Sequence, residues 1–444
     1  MQRTIVKEIP EHKGEIIKVC GFVNIKRDHG KLVFIDLIDR SGVVQIVGGE
    51  KLSSLKPQDV IEVTGKVQER PVNMVNKKIL TGSVELSIET IEILSKAEEI
   101  PFDMTQEILN VELPTLLDFR ALTLRHSKVK SIFKVQAAVM QGFRNAAQAL
   151  DCVELFVPTI SASATEGGAE VFKIDYYGHN AYMVQSPQLY KQMLVPVFER
   201  VFVISHAYRA EPSVTTRHLS ESVQMDCEFG FVNFDDLLDY LELVGKETLK
   251  YVGKTCSDIL SDFNIPEIKI PENVPRLTMR EAQRIILERT GIDHTKEKDL
   301  EPEDEREICK WALETHNSDL VTITHYPTKK RAFYTLADPK DPEFSLSYDL
   351  LFRGIEILSG SQRISNYKDL VSAIKERDLD PKNFEMYLQA FKYGMPLEGG
   401  FSFGLERITM QILQLKNIRE ASLFPRDMER VDQRLSVLKS NNKK

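Results

Sequence analysis

The sequence predicts an α+β protein in two parts, a small N-terminal β barrel followed by a larger domain of strands and amphipathic helices. Three observations carry that prediction. Five short β-rich runs lie between Ile16 and Leu94, a long run of helical spacing covers Ser127–Leu150, and two alternating runs joined by a short polar loop occupy Val201–Phe231. With 444 residues, 42% hydrophobic and 28% charged, the chain can bury a large core and is long enough for more than one domain.

The first runs are IIKVCGFV, KLVFIDLID, GVVQIVG, VIEVTGKV and VELSIETIEIL, broken by turn-forming clusters such as Asp28-His29-Gly30 and Arg40-Ser41-Gly42. Five strands in so short a span suggest a barrel of the OB kind over residues 1–97, a common oligonucleotide-binding surface. Arg27, Phe34 and Gln45 offer a cation, a stacking ring and an amide on its exposed side, although Phe34 would also suit the core. Residues 98–114, charged and punctuated by prolines, read as a linker into a domain over 115–444.

Composition excludes some classes. There is no apolar run of membrane length and no charged-apolar-small signal at the N-terminus, so no membrane partner and a cytoplasmic location are expected. The five cysteines are widely spaced without a CxxC pair, which argues against a disulfide framework or a cysteine zinc site. A net charge of −8 gives no global pull on nucleic acid, so RNA binding would rest on local patches.

In the larger domain the Ser127–Leu150 helix places Val129, Ile132, Phe133, Val139 and Phe143 near helical spacing and leads into Glu154–Pro158, a short strand that its proline would end or place at an edge. The small-residue segment SASATEGGAE, containing Glu166, reads as a loop. Gln188 and Lys191, three apart, fall on a first helical turn. In the hairpin, Arg209 and Glu211 would share one face of the first strand, Arg217 and His218 lie at the far end of the loop, and Glu221, Asp226 and Glu228 follow on the second strand. An inward arginine among carboxylates suits an anionic substrate that also carries amines; a salt-bridged surface hairpin is the plain alternative. Amphipathic helix then runs to about Phe263, and GIDHTKEKDLEPEDERE reads as solvated acidic surface. Asp349 and Glu356, seven apart on an apolar strand pattern, bring two carboxylates into a sheet. They call for a hard cation such as Mg²⁺ or for a structural ion pair.

Arg209-Ala210-Glu211 with Arg217-His218 resembles motif 2 of the class II aminoacyl-tRNA synthetases, and Gly399–Gly404 running into Leu405-Glu406-Arg407 resembles their motif 3. The helix and strand ending at Pro158 look like motif 1, which in that family builds a two-fold dimer interface, so a homodimer is implied. The resemblance implies a catalytic domain made of an antiparallel sheet flanked by helices, behind an anticodon-reading barrel in which Phe34 stacks on a base beside Arg27 and Gln45. TEGGAE, QSPQLYKQ and GIEILSGSQR are similar to aspartyl-tRNA synthetases more than to asparaginyl enzymes. That likeness implies an aspartate–tRNA ligase using ATP, L-aspartate and tRNA(Asp), with tRNA(Asn) as a second acceptor left open.

The family's roles carry over residue by residue. Arg209, Glu211, Arg217, His218, Glu356, Gly404 and Arg407 would bind ATP, with Arg209, Glu211 and Arg407 catalytic. Glu356, Ser359 and Asp349 would serve Mg²⁺. Lys191 and Arg363 would grip the aspartate side chain, with Glu166, Gln188, Asp226 and Ser359 completing the amino-acid site. No GxxxxGK[ST] phosphate loop is present, so arginines, metal and backbone would hold the nucleotide. Two positions depart from the pattern. Ser222 stands where members usually carry an adenine-stacking ring, and Asn24 replaces a tryptophan of archaeal members strict for the aspartate tRNA. An asparaginyl-tRNA synthetase and a non-charging paralogue are the rival readings.

Overall fold

A computed structural model describes residues 1–162, 170–212 and 215–438, which divide into two units, Met1–Leu116 and Leu117–Lys444. Glu166, the Gly167-Gly168 pair, Ser213 and the SNNKK tail lie outside the described residues.

In the first unit β1 (Ile16–Asp28), β2 (Val33–Ile38), β3 (Val43–Gly48), β4 (Val60–Glu69) and β5 (Val84–Ser95) close a barrel in the order β1-β2-β3-β5-β4. Period-two alternation builds it: β2 sends Val33, Ile35 and Leu37 into the core and turns Phe34 and Asp36 outward. Asn24 sits at a bulge in β1, where the register with β2 shifts between Val23 and Ile25.

The second unit is organised on one sheet. Its strands are β6 (Val153–Glu154), β10 (Arg200–Tyr208), β11 (Glu221–Gly230), β12 (Arg276–Thr278), β13 (Leu320–Thr324), β14 (Ser347–Phe352), β15 (Ile355–Gln362) and β16 (Glu398–Gly404). The order is β12-β13-β14-β15-β16-β11-β10-β6. The six inner strands are antiparallel, and only the edge strands β12 and β6 run parallel to their neighbours. A smaller sheet comprises β7 (Ile160–Ser161), β8 (Lys173–Tyr176) and β9 (His179–Met183).

Two long helices, Ser127–Ala149 and Phe234–Thr255, pack on one another and on one face of the sheet. The second starts at a capping box formed by Asn233 and Asp236. Phe143, Leu241, Cys227, Phe229, Phe401 and Phe403 share this core. Strand alternation then decides the opposite face: Cys227 and Phe229 point to the helices, so Asp226 and Glu228 point away from them.

Four expectations are corrected. The strand before Pro158 is only Val153–Glu154, because Leu155 keeps a single bond to Phe202 and the chain then leaves the sheet. Arg209 and Glu211 do not lie on the first hairpin strand, which ends at Tyr208; Arg209 adds one rung through its N–H to Ser220 O, and Glu211 is in the loop. Asp349 and Glu356 are on two strands, since Arg353 (φ 48°) and Gly354 (φ 91°) make a two-residue turn between β14 and β15. The acidic segment is only partly solvated surface: in the Pro302–His316 helix Asp304 is buried against His294 and Glu305 turns inward.

Candidate active site

The sheet face turned away from the long helices carries a buried array of charge. Lys191, on the first turn of the Gln188–Phe198 helix, places Nζ 2.9 Å from Asp226 Oδ2 and 3.0 Å from Glu228 Oε2. Arg363, just past β15, sets Nε 2.8 Å from Glu228 Oε1, donates to Gln188 Oε1, Ser361 Oγ and Gly400 O, and lies over the Tyr334 ring. All four charged side chains are at most 5% exposed. Burial alone would depress the Lys191 ammonium, but Asp226 and Glu228 outweigh it and hold it above its ordinary value. Burial likewise would raise Glu228, yet Arg363 and Lys191 draw it below the usual range. Gly400 makes room for this packing, since a Cβ there would lie 2.1 Å from Cys227 O and 2.4 Å from Glu228 Oε2.

Next to this array opens a cleft of about 280 Å³ lined by Arg209, Glu211, Arg217, His218, Ser222, Glu356, Ser359, Gly404 and Arg407. Ser402 joins the two: it lines the cleft, and its hydroxyl donates to Asp226 Oδ1 at 2.6 Å. Arg407, on the first turn of the Leu405–Ile412 helix, lies 3.3 Å from Glu356 Oε1. Arg217 pairs with Glu305 Oε2 at 3.2 Å. The Arg209 guanidinium has no hydrogen bond or ion pair among the described residues. Burial, reinforced by Arg407, Arg209 and Arg217, keeps His218 below its ordinary value, and its Nδ1 meets Thr215 Oγ1. Ser222, at the position where family members usually carry an adenine-stacking ring, lines the cleft, as do the apolar Leu219 and Ile418.

Asp349, Glu356 and Ser359 also converge, with Asp349 and Ser359 directly opposed across β14 and β15. Asp349 Oδ1 is buried without a hydrogen bond, and burial, with Asp349 close by, pushes Glu356 up. An orphaned carboxylate oxygen beside a second carboxylate and a hydroxyl fits a hard divalent cation. The described residues contain no cluster of three or more His, Cys, Asp or Glu of metal-binding geometry. Arg331 takes part of the same ground: it donates to Asp349 Oδ2 at 2.7 Å and to Ser359 Oγ at 3.1 Å while stacking on Tyr326.

On the barrel, Phe34 is half-buried on the outer face rather than in the core, with His29 against its edge. It pairs with Arg27 across β1 and β2. Arg27 contacts both Asp36 and Gln45, and Gln45 in turn donates to Glu85. The three expected residues thus stand together with two acids that the sequence did not single out. In the second unit Glu305, Arg331 and Ser402 were missed as well, because their partners are distant in the chain.

Residues 112–428 match the family of class II tRNA synthetases (D, K and N), and residues 17–94 match the OB-fold nucleic acid binding domain. The chain belongs to this class II synthetase family and is an aminoacyl-tRNA ligase. Curated relatives 37–40% identical to the chain are aspartate–tRNA ligases. That of Thermus thermophilus, an aspartate–tRNA(Asp/Asn) ligase, is 40% identical over 432 residues, 97% of this chain and 99% of the relative. The aspartate–tRNA(Asp) ligase of Pyrococcus horikoshii is 37% identical over 95% of this chain and 97% of its own. Among solved structures, the asparaginyl-tRNA synthetase of Pyrococcus horikoshii complexed with asparaginyl-adenylate superposes with a TM-score of 0.88 at 29% identity, over 97% of this chain and 99% of that one. The aspartyl-tRNA synthetase of Entamoeba histolytica gives 0.85 at 27%, over 97% and 93%. No helix among the described residues is long and apolar enough to cross a membrane.

Proposed function

We propose that the chain is an aspartate–tRNA ligase that activates L-aspartate with ATP and transfers it to the 3′ end of tRNA(Asp) and of tRNA(Asn). The observation that carries the amino-acid choice is the pair of buried cations, Lys191 and Arg363, beside the cleft. Both already face Asp226 and Glu228, and an acid side chain gives them a further charged acceptor, whereas an amide of the same size offers a weaker neutral oxygen and turns an N–H₂ donor toward fixed cations. Likeness of fold cannot decide this, because an asparaginyl enzyme superposes as well as an aspartyl one.

In activation the α-carboxylate oxygen of aspartate attacks the α-phosphorus of ATP and the bond to pyrophosphate breaks. Arg209, without a hydrogen bond or ion pair among the described residues and lining the cleft, would spread the charge that develops on the α-phosphate, a positioning and electrostatic role. Arg407 lies along the nucleotide, Arg217 and His218 face the outer phosphates, and Glu211 orients the base end. Asp226 and Gln188 receive the α-ammonium, with Glu166 as a further acid. Asp349, Glu356 and Ser359 would hold Mg²⁺, which would supply charge neutralisation at the phosphates. Transfer follows when a terminal ribose hydroxyl attacks the adenylate carbonyl and AMP leaves. Phe34, Arg27 and Gln45 read the anticodon by stacking and hydrogen bonding.

The second acceptor rests on two supports: the Thermus thermophilus relative is an aspartate–tRNA(Asp/Asn) ligase, and Asn24 stands at a bulge in place of a large ring. A cytoplasmic homodimer joined around the motif 1 segment is part of the same proposal. Phe156, beside the short edge strand β6, is 89% exposed and would be covered there. Charging of both purified tRNA transcripts with labelled aspartate, ATP and Mg²⁺ tests the proposal. Charging of tRNA(Asp) alone would restrict it to one acceptor, and charging of neither would favour a non-charging paralogue.

A further inference from the structure

Behind Glu228 lies a third buried carboxyl that the reaction above does not use. Glu398, the first residue of β16, is 0% exposed. The orientation of its surroundings follows from one end of a chain of hydrogen bonds. Tyr387 donates its hydroxyl to Gln192 Oε1 at 3.1 Å, which fixes the amide so that Gln192 Nε2 donates to Glu398 Oε1 at 2.7 Å. Glu398 Oε2 meets no donor, and the pairing of Gly230 with Glu398 and of Glu228 with Gly400 across β11 and β16 sets the Glu398 and Glu228 side chains on one face of the sheet as diagonal neighbours, within hydrogen-bonding reach. Glu228 already has Arg363 on both oxygens and Lys191 on Oε2. The backbone N–H of Arg363 also bonds to Glu398 O, so the two side chains are held in fixed register.

Counting charge gives the consequence. Lys191 and Arg363 are balanced by Asp226 and Glu228, so a third ionised carboxylate would leave the array net negative before an acidic substrate arrived. A buried oxygen with no donor, facing a carboxylate, is instead the arrangement of an acid that donates its own proton. Resting on the reading of this array as the aspartate site, we propose that Glu398 is a neutral carboxylic acid that keeps its proton and donates a hydrogen bond to Glu228, a positioning residue that sets pocket charge and so selects an acidic amino acid. Burial and the facing Glu228 push Glu398 well above the ordinary carboxyl range, in agreement with that geometry, with Gln192 and Arg363 opposing. The other titratable groups against it are Tyr387 and, through Glu228, Lys191.

The test compares Glu398→Gln, which keeps a neutral donor and acceptor, with Glu398→Leu, which keeps neither. Infrared difference spectra of wild type against Glu398→Gln at pH 8 should show a protonated carboxyl band lost in the variant. In pyrophosphate exchange, Glu398→Gln should keep the aspartate KM within about threefold, while Glu398→Leu raises it about tenfold or more with the ATP KM unmoved. Absence of the band overturns the proposal, as does a Gln variant as impaired as the Leu variant or a Leu variant with an unaltered aspartate KM. If Glu398→Leu does not fold, the spectrum and the Gln variant decide alone. Lys191→Met separates the two readings: an unchanged aspartate KM there means that the array is not the aspartate site, whatever the state of Glu398.

Discussion

The buried array and the cleft beside it are built on opposite principles. Lys191, Asp226, Glu228 and Arg363 are sealed from water and matched charge for charge before any ligand arrives. In the cleft, Arg407 and Glu356 keep 29% and 31% of their side chains exposed, and Arg209 has no partner among the described residues. A prebuilt array suits discrimination: two ligands of nearly equal size are told apart when the wrong one sets a donor against donors that are already fixed in place. An open cation such as Arg209 suits a reaction in which charge develops and then departs with pyrophosphate, because it has no internal salt bridge to break first. The other two arginines of the cleft are already engaged, Arg407 by Glu356 and Arg217 by Glu305.

The sharpest break of this contrast is Lys191→Met. It should lower aspartate-dependent pyrophosphate exchange by about a thousandfold and also lower the melting temperature, because Asp226 and Glu228 lose a buried counter-ion. Normal exchange would remove the account of amino-acid choice. Arg209→Gln should reduce kcat by about a hundredfold or more yet leave the melting temperature unchanged; a large loss of stability would mean that the arginine is structural. Glu305 supplies a pH test. Burial, with Glu356 adding, pushes its carboxyl from 4.5 up to about 7. The folded chain therefore keeps a proton that the unfolded chain has released, and stability falls as pH rises through that window. Glu305→Gln should remove a fall of at most about 3 kcal/mol between pH 4.5 and 8 in the unliganded enzyme, and equal slopes for both proteins would contradict it. The smallest effect is expected of Ser222→Tyr, which should lower the ATP KM about fivefold by restoring one stacking face. No change would mean that Leu219 and Ile418 already serve adenine.

The fold and most of the site were legible because their signals are local. The residues alone left Phe34 open between core and surface and the family resemblance put it outside, while Arg209, Arg217, His218 and Arg407 belong to short motifs whose spacing the chain retains. What stayed hidden depends on partners far apart in sequence. Glu305 looked like solvated acid until the fold brought it to Arg217, 88 residues away, and Arg331 gains its meaning only from Asp349 and Ser359. The β14–β15 turn was missed for another reason: Phe352 and Ile355 flank Arg353-Gly354 so closely that the apolar pattern reads straight through. An arginine followed by glycine between two apolar runs was the available signal, since a two-residue hairpin turn needs positive φ at both positions.

The most direct test of a prebuilt amino-acid site is calorimetric titration of L-aspartate and of L-asparagine into the full-length enzyme without ATP. Saturable binding of aspartate, and none of asparagine at the same concentrations, is the predicted result. Equal binding of both, or binding of aspartate only after ATP is added, would contradict it.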